Sequence, residues 1–153
     1  MANVYTTFAT DQLAALTDGS ERPTLPLNGG NVHTVLVTKT FTAATADPLY
    51  LVRLPKGARV IRSQCMVDFE DPGASLIGNV GYIYDDGTGD ADGYATALDL
   101  GSAAGSKQFH NFFGAAYTAP VALANPAWVY VTWTTATTPI PHTETWTISY
   151  TLG

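Results

Sequence analysis

The chain has 153 residues, of which 46% are hydrophobic and only 13% charged, with a formal net charge of −6 and a pI near 4.7. That length suits one domain with a core of its own plus a terminal extension. The acid excess argues against a nucleic-acid partner, which needs a basic patch, and no run approaches the ~18 apolar residues of a membrane span.

Residues 1–30 read differently from the rest. Ala9 to Leu16 suits a short helix capped by Thr10 or Asp11. Pro23, Pro26 and the Asn28-Gly29-Gly30 run then exclude regular structure, so the segment is expected to be an extended arm. It is more apolar and less charged than a disordered tail. The residues expected to dock it on a partner are Val4, Tyr5, Phe8, Leu13, Leu16, Leu25 and Leu27. The first residues carry neither a basic region nor an apolar run, so no secretory leader is expected.

From Asn31 onward the pattern is almost all β. Val32 to Thr42 is a Val/Thr-rich strand, and Leu49 to Leu54 is the next. After the corner Pro55-Lys56-Gly57, Ala58 to Phe69 reads as one strand. Ile61, Ser63, Cys65, Val67 and Phe69 share its apolar face, and Arg62, Gln64 and Asp68 its polar face, with Val60 and Met66 interrupting the alternation. Arg53, Lys56, Arg59 and Arg62 are close in sequence, but alternation divides them between faces. Asp71-Pro72-Gly73 is a turn. Ala74 to Tyr84 is a strand, Asp85 to Gly93 an acidic loop, and Tyr94 to Leu100 a short strand or helical turn. Gly101 to Gly105 is a second loop, Gln108 to Phe113 a short aromatic segment, and Thr118 to Ala124 a short β run. Trp128 to Thr135 sets Val129, Val131 and Trp133 against Trp128, Tyr130 and Thr132. In the last strand Trp146, Ile148, Tyr150 and Leu152 oppose Thr143, Thr145, Thr147, Ser149 and Thr151. About eight strands with Gly/Pro turns predict an antiparallel β-sandwich or barrel. The domain boundaries are 1–30 for the arm and 31–153 for the sandwich.

Chemistry is sparse in this sequence. Asp86, Asp90 and Asp92 are the one metal candidate, since clustered carboxylates suit calcium, but their spacing fails the EF-hand register and Asp and Gly serve turns equally well. His33, His110 and His142 are isolated from one another, and Glu21, Glu70 and Glu144 are scattered. No nucleophile elbow or phosphate loop is present. Cys65 lies on an apolar strand face, as a buried small hydrophobe does. These features predict no enzyme activity and no cofactor. Trp128 and Trp133 on a strand raise an alternative: a carbohydrate- or receptor-binding module. A calcium-dependent lectin or enzyme built on Asp85 to Asp92 is a third reading.

Three segments carry a family likeness. They are Leu51-Val52-Arg53-Leu54-Pro55-Lys56-Gly57-Ala58-Arg59-Val60-Ile61, Gly78-Asn79-Val80-Gly81-Tyr82 and Asp90-Ala91-Asp92-Gly93-Tyr94, with the Tyr-containing end Ser149-Tyr150-Thr151-Leu152-Gly153. Together they resemble capsid decoration (cement) proteins of tailed bacteriophages. The resemblance implies a jelly-roll sandwich over 31–153 and a virion location on the capsid surface after assembly in the host cytoplasm. It further implies the major capsid protein as partner and association with copies of itself as trimers or dimers. Head-fibre and tail proteins with related jelly rolls give the alternative, a receptor-binding module.

Overall fold

Most segments with apolar–polar alternation at period two form strands, because an extended chain turns alternate side chains to one buried face. The computed structural model describes residues 31–73, 75–101, 103–112 and 121–152. These contain β1 (Val32–Phe41), β2 (Leu49–Leu54), β3 (Ala58–Val60), β4 (Met66–Phe69), β5 (Leu76–Tyr84), β6 (Gly89–Gly101), β7 (Gly105–Gln108), β8 (Ala127–Ala136) and β9 (His142–Leu152). The expected arm and its helix lie outside the described residues.

The strands form two antiparallel sheets. One has the order β1-β9-β4-β7, with β3 also on β9, and the other has the order β2-β8-β5-β6. The pairs β1·β9, β2·β8, β4·β7 and β5·β6 are nested one inside the next along the chain. That is a long hairpin rolled up on itself, with β4·β9 and β5·β8 as the contacts made by rolling. With β3 and β4 counted as halves of one strand, this is the eight-stranded jelly roll.

The expected single strand from Ala58 to Phe69 is broken. A 3-10 turn over Arg62–Gln64 separates β3 from β4, closed by Gln64 N–H to Ile61 O and Cys65 N–H to Arg62 O. Val60 pairs with Tyr150 and Met66 with Thr147, so six steps on this strand match three on β9. Three extra residues are an odd number, so the buried parity flips. Ala58 and Val60 face the core before the turn, and Cys65, Val67 and Phe69 after it. Val60 broke the polar pattern for this reason, whereas Met66, after the turn, stands half-buried on the outward side with Asp68. Arg62, expected on the polar face, is buried in the turn.

Three other differences concern ends. β6 begins at Gly89, so the acidic loop shrinks to a tight turn after Tyr84. Gly105–Gln108 joins the first sheet as β7, whereas Phe109–Asn111 is a 3-10 turn. Val121 to Ala124 makes no strand. Leu123 instead exchanges backbone hydrogen bonds with Gly57 and Ala58, which secures the Leu54 corner.

The core lies between the sheets. Val35, Val37, Val67, Trp146 and Ile148 meet Leu49, Val80, Leu98, Val129, Val131 and Trp133 there. Each such side chain contributes about 1.5–3 kcal/mol when fully buried. On the outer face of β1 and β9 the hydroxyls pair across the strands: Thr34 with Ser149 at 3.0 Å, Thr38 with Thr145 at 3.0 Å and Thr40 with Thr143 at 2.9 Å.

Candidate functional site

The groups that could carry chemistry do not converge. Among the described residues no three of His, Cys, Asp and Glu form a ligand set. Asp86 Oδ1 accepts hydrogen bonds from Thr88 N–H (2.9 Å) and Thr88 Oγ1 (2.6 Å), which close the β5–β6 turn and hold its carboxyl below the usual range. Asp90 Oδ1 accepts the Asp92 N–H at 3.3 Å, and partial burial with the neighbouring Asp92 carboxyl pushes Asp90 up. The Asp86 and Asp90 carboxylates thus accept hydrogen bonds within the turn and the bulge. His33 stacks on Tyr150 with ring centroids 5.0 Å apart, and burial lowers its pKa. His110 is exposed. A shallow groove along β7, lined by Ser106, Lys107, Gln108, Asn111 and Phe112, holds no carboxylate, histidine or thiol.

Cys65 is fully buried, as its apolar face predicts. Its thiol lies 3.2 Å from Ile61 O as donor and accepts the Ser149 N–H at 3.3 Å, and burial pushes its pKa to about 12. Such a thiol is inert.

One polar cluster sits in the core itself. His142, Glu144 and Trp146 follow each other on the inward face of β9. Glu144 Oε1 is 2.7 Å from His142 Nε2, and Trp146 Nε1–H donates to Glu144 Oε2 at 2.8 Å. His142 Nδ1 lies 3.0 Å from Ile140 O, a carbonyl that can only accept, so this nitrogen carries a proton. A second proton then lies on the Nε2–Oε1 line. Every polar atom of the trio has a partner, which is the condition for keeping such groups inside a core. Sequence reading treated His142 as isolated and Glu144 as scattered. The i, i+2, i+4 spacing on a strand already placed both on the Trp146 face.

Among the described residues, the second sheet shows an exposed feature with recognition chemistry. Trp133 points into the core, 4% exposed, so it cannot serve as a platform. Trp128 and Tyr130 point outward. On this face Tyr130 lies between Tyr50 of β2 and Gly81 of β5, and Trp128 lies between Arg53 and Ile83. Tyr50 and Tyr130 stack at 5.9 Å with 20° between planes, and Tyr50 meets Trp128 edge-on at 6.0 Å and 78°. Arg53 forms an ion pair with Asp85 beside this row. The β6 bulge closes the other side. Val80 pairs with Ala95 but Tyr82 with Asp90, so residues 91–94 stand opposite Gly81 alone. A Cβ on Gly81 would meet Asp90 O at 1.9 Å, so only glycine admits the bulge backbone here. Asp90 and Asp92 come close enough to Tyr130 that their charges, after burial and Tyr50, raise its pKa. Sequence reading found Trp128 but not its partners. Tyr50 comes from a strand far away in sequence, and the bulge between Tyr50 and Val52 puts Arg53 on the same face as Tyr50.

No family model and no curated protein matches this sequence. Solved structures do match it in fold. A chain of the cyanophage Pam1 capsid asymmetric unit aligns with a TM-score of 0.54 at 22% identity, over 89% of this chain and 96% of that chain. A chain of the capsid of Ralstonia phage GP4 aligns with a TM-score of 0.62 at 18% identity, over 88% of this chain and 93% of that chain. The fold is shared with phage capsid chains. The alignment spans nearly the whole of each, so the likeness is to complete chains rather than to one embedded sandwich.

Proposed function

We propose that this protein is a structural, non-catalytic component of a bacteriophage virion, which decorates the capsid and stabilises it by bridging neighbouring major capsid proteins. The observation that carries this reading is the near end-to-end fold likeness to chains of two phage capsids. The surface agrees with it. On the outer face of β1 and β9, Thr34, Leu36, Thr38, Thr40, Thr143, Thr145, Thr147 and Thr151 form a layer without charge. Such a face can be covered by a neighbour without desolvating ions. Residues 1–30 supply reach: at ~3.3 Å per extended residue, half of them spans tens of ångströms. Val4, Tyr5, Phe8, Leu13, Leu16, Leu25 and Leu27 are the proposed anchors on the neighbour. Self-association as a trimer or dimer at a capsid symmetry axis, and assembly in the host cytoplasm, complete the proposal.

Electron microscopy of purified particles tests it directly, by placing this chain on the outer shell or failing to. Deleting residues 2–27 is expected to leave the sandwich folded and to abolish decoration. Full occupancy by the truncated protein would remove the arm from the proposal.

A further inference from the structure

We infer that the outer face of the β2-β8-β5-β6 sheet is a docking site for a positively charged polypeptide segment, one that lays Arg or Lys side chains over Tyr50 and Trp128 and against Asp90 and Asp92. Three observations carry this. First, the face bears aromatic rings that are open to solvent: Tyr50 is 38% exposed and Trp128 is half-buried, while Tyr130 supports them from below. Second, charge on this sheet is one-sided. Its four strands contain a single basic residue, Arg53, and that one is paired to Asp85. Asp86, Asp90, Asp92 and Asp99 on the same strands and turn are exposed. Third, the bulge opposite Gly81 brings the backbone of Asp90 and Ala91 against the sheet, and Gly81 is the ladder neighbour of Tyr130.

A ring face attracts a cation within about 6 Å of its centroid, and a nearby carboxylate adds to the same pull. Guanidinium suits both, since its plane stacks on a ring and its fork meets a carboxylate. An apolar partner fits poorly, because charged groups are depleted at the centres of interfaces that bury apolar surface. An anionic partner is repelled. Aromatic residues near a charged rim are also the usual energetic centre of a protein contact. The site stands on its own residues. Its failure would leave the capsid proposal in place, and absence from the particle would leave this site in place.

The test uses the full chain and a synthetic pentapeptide with two arginines, against the same peptide with two glutamines, by calorimetry and by shifts of the Trp128 indole N–H resonance. The arginine peptide is expected to bind and the glutamine peptide not. Affinity should fall as salt rises from about 50 to about 300 mM. Tyr50→Ala and Trp128→Leu leave the charge unchanged and are expected to weaken binding about tenfold each. Asp90→Asn with Asp92→Asn should weaken it and flatten the salt dependence. Thermal melting of each variant, and the unaffected resonances of the other sheet, show that the fold persists. The inference is overturned if the arginine peptide gives no indole shift, if the aromatic variants bind it as well as the parent, or if a neutral oligosaccharide binds this face instead.

Discussion

Glu144 and His142 share a 2.7 Å contact with side chains 0% and 1% exposed, two residues apart on one strand and wholly inside the sandwich. Phe69 on β4 and Lys39 on β1 flank Glu144 in the ladder, and the Phe41 ring lies 5.2 Å from the His142 ring. Removing one partner strands the other in a low dielectric, which costs about 3–5 kcal/mol. Glu144→Ala is therefore expected to be among the most damaging substitutions in the sheet. Glu144→Gln, which keeps an oxygen for Trp146 Nε1–H, should cost less. Urea unfolding of the two variants measures the difference, and equal stability of Glu144→Ala and the parent would show that the trio contributes nothing.

Burial, opposed in part by its hydrogen bonds from His142 and Trp146, raises the Glu144 pKa above its ordinary value of 4.5. A carboxyl raised in the folded state binds its proton more tightly there than in the unfolded chain. Its stabilising share is complete below the unfolded pKa and is lost as pH rises through the folded value. The geometry agrees: once the proton on the Nε2–Oε1 line leaves, a lone pair faces a carboxylate. The parent should lose stability relative to Glu144→Gln as pH rises above the ordinary value of 4.5. Denaturant midpoints across that range check this, and a parallel pair of curves would refute it.

Gly81 is expected to tolerate no side chain. The added Cβ would lie 1.9 Å from Asp90 O and 2.4 Å from the Ala91 carbonyl carbon, both backbone atoms that cannot swing aside. Gly81→Ala should cost about 3 kcal/mol, the upper end for overpacking. Gly87 is the control: its φ is +82° but open space surrounds it, so Gly87→Ala should cost only about 1–2 kcal/mol. Calorimetric melting separates the two.

Cys65 should resist thiol reagents in the native protein, because its pKa near 12 and full burial leave almost no thiolate. Labelling with a chromogenic disulfide is expected only after denaturant is added. Rapid labelling of the folded chain would mean that the β3–β4 turn opens far more readily than its hydrogen bonds suggest.

The candidate sites were legible in unequal degree. Trp146 was placed in the core from its strand alone, and its neighbours His142 and Glu144 stood on the same face by the same count. What alternation could not supply was the reason for a buried carboxylate, since its partners Nε2 and Nε1 become visible only once the side chains are packed. The break in Ala58–Phe69 left a trace in the misplaced Val60, yet a three-residue turn and an irregular face look alike in one dimension. The aromatic row needed Tyr50 and Trp128 side by side. They stand on different strands, joined by β-pairing across most of the domain.

The amino-acid sequence by itself determined that the chain from Asn31 onward is almost all β, where most strands run and that Trp146 and Ile148 of β9 share one face; it divided β8 into two faces without deciding which is buried. Period two is a local property of an extended backbone, readable wherever one face is dry. The tertiary structure alone decided the nested pairing of the strands, the sheet that carries the acidic excess, and the packing of the Asp90 and Ala91 backbone on Gly81 beside Tyr130 in the ladder. Those relations join residues far apart in the chain. They exist only after long loops have closed and the registers of several ladders have been set together.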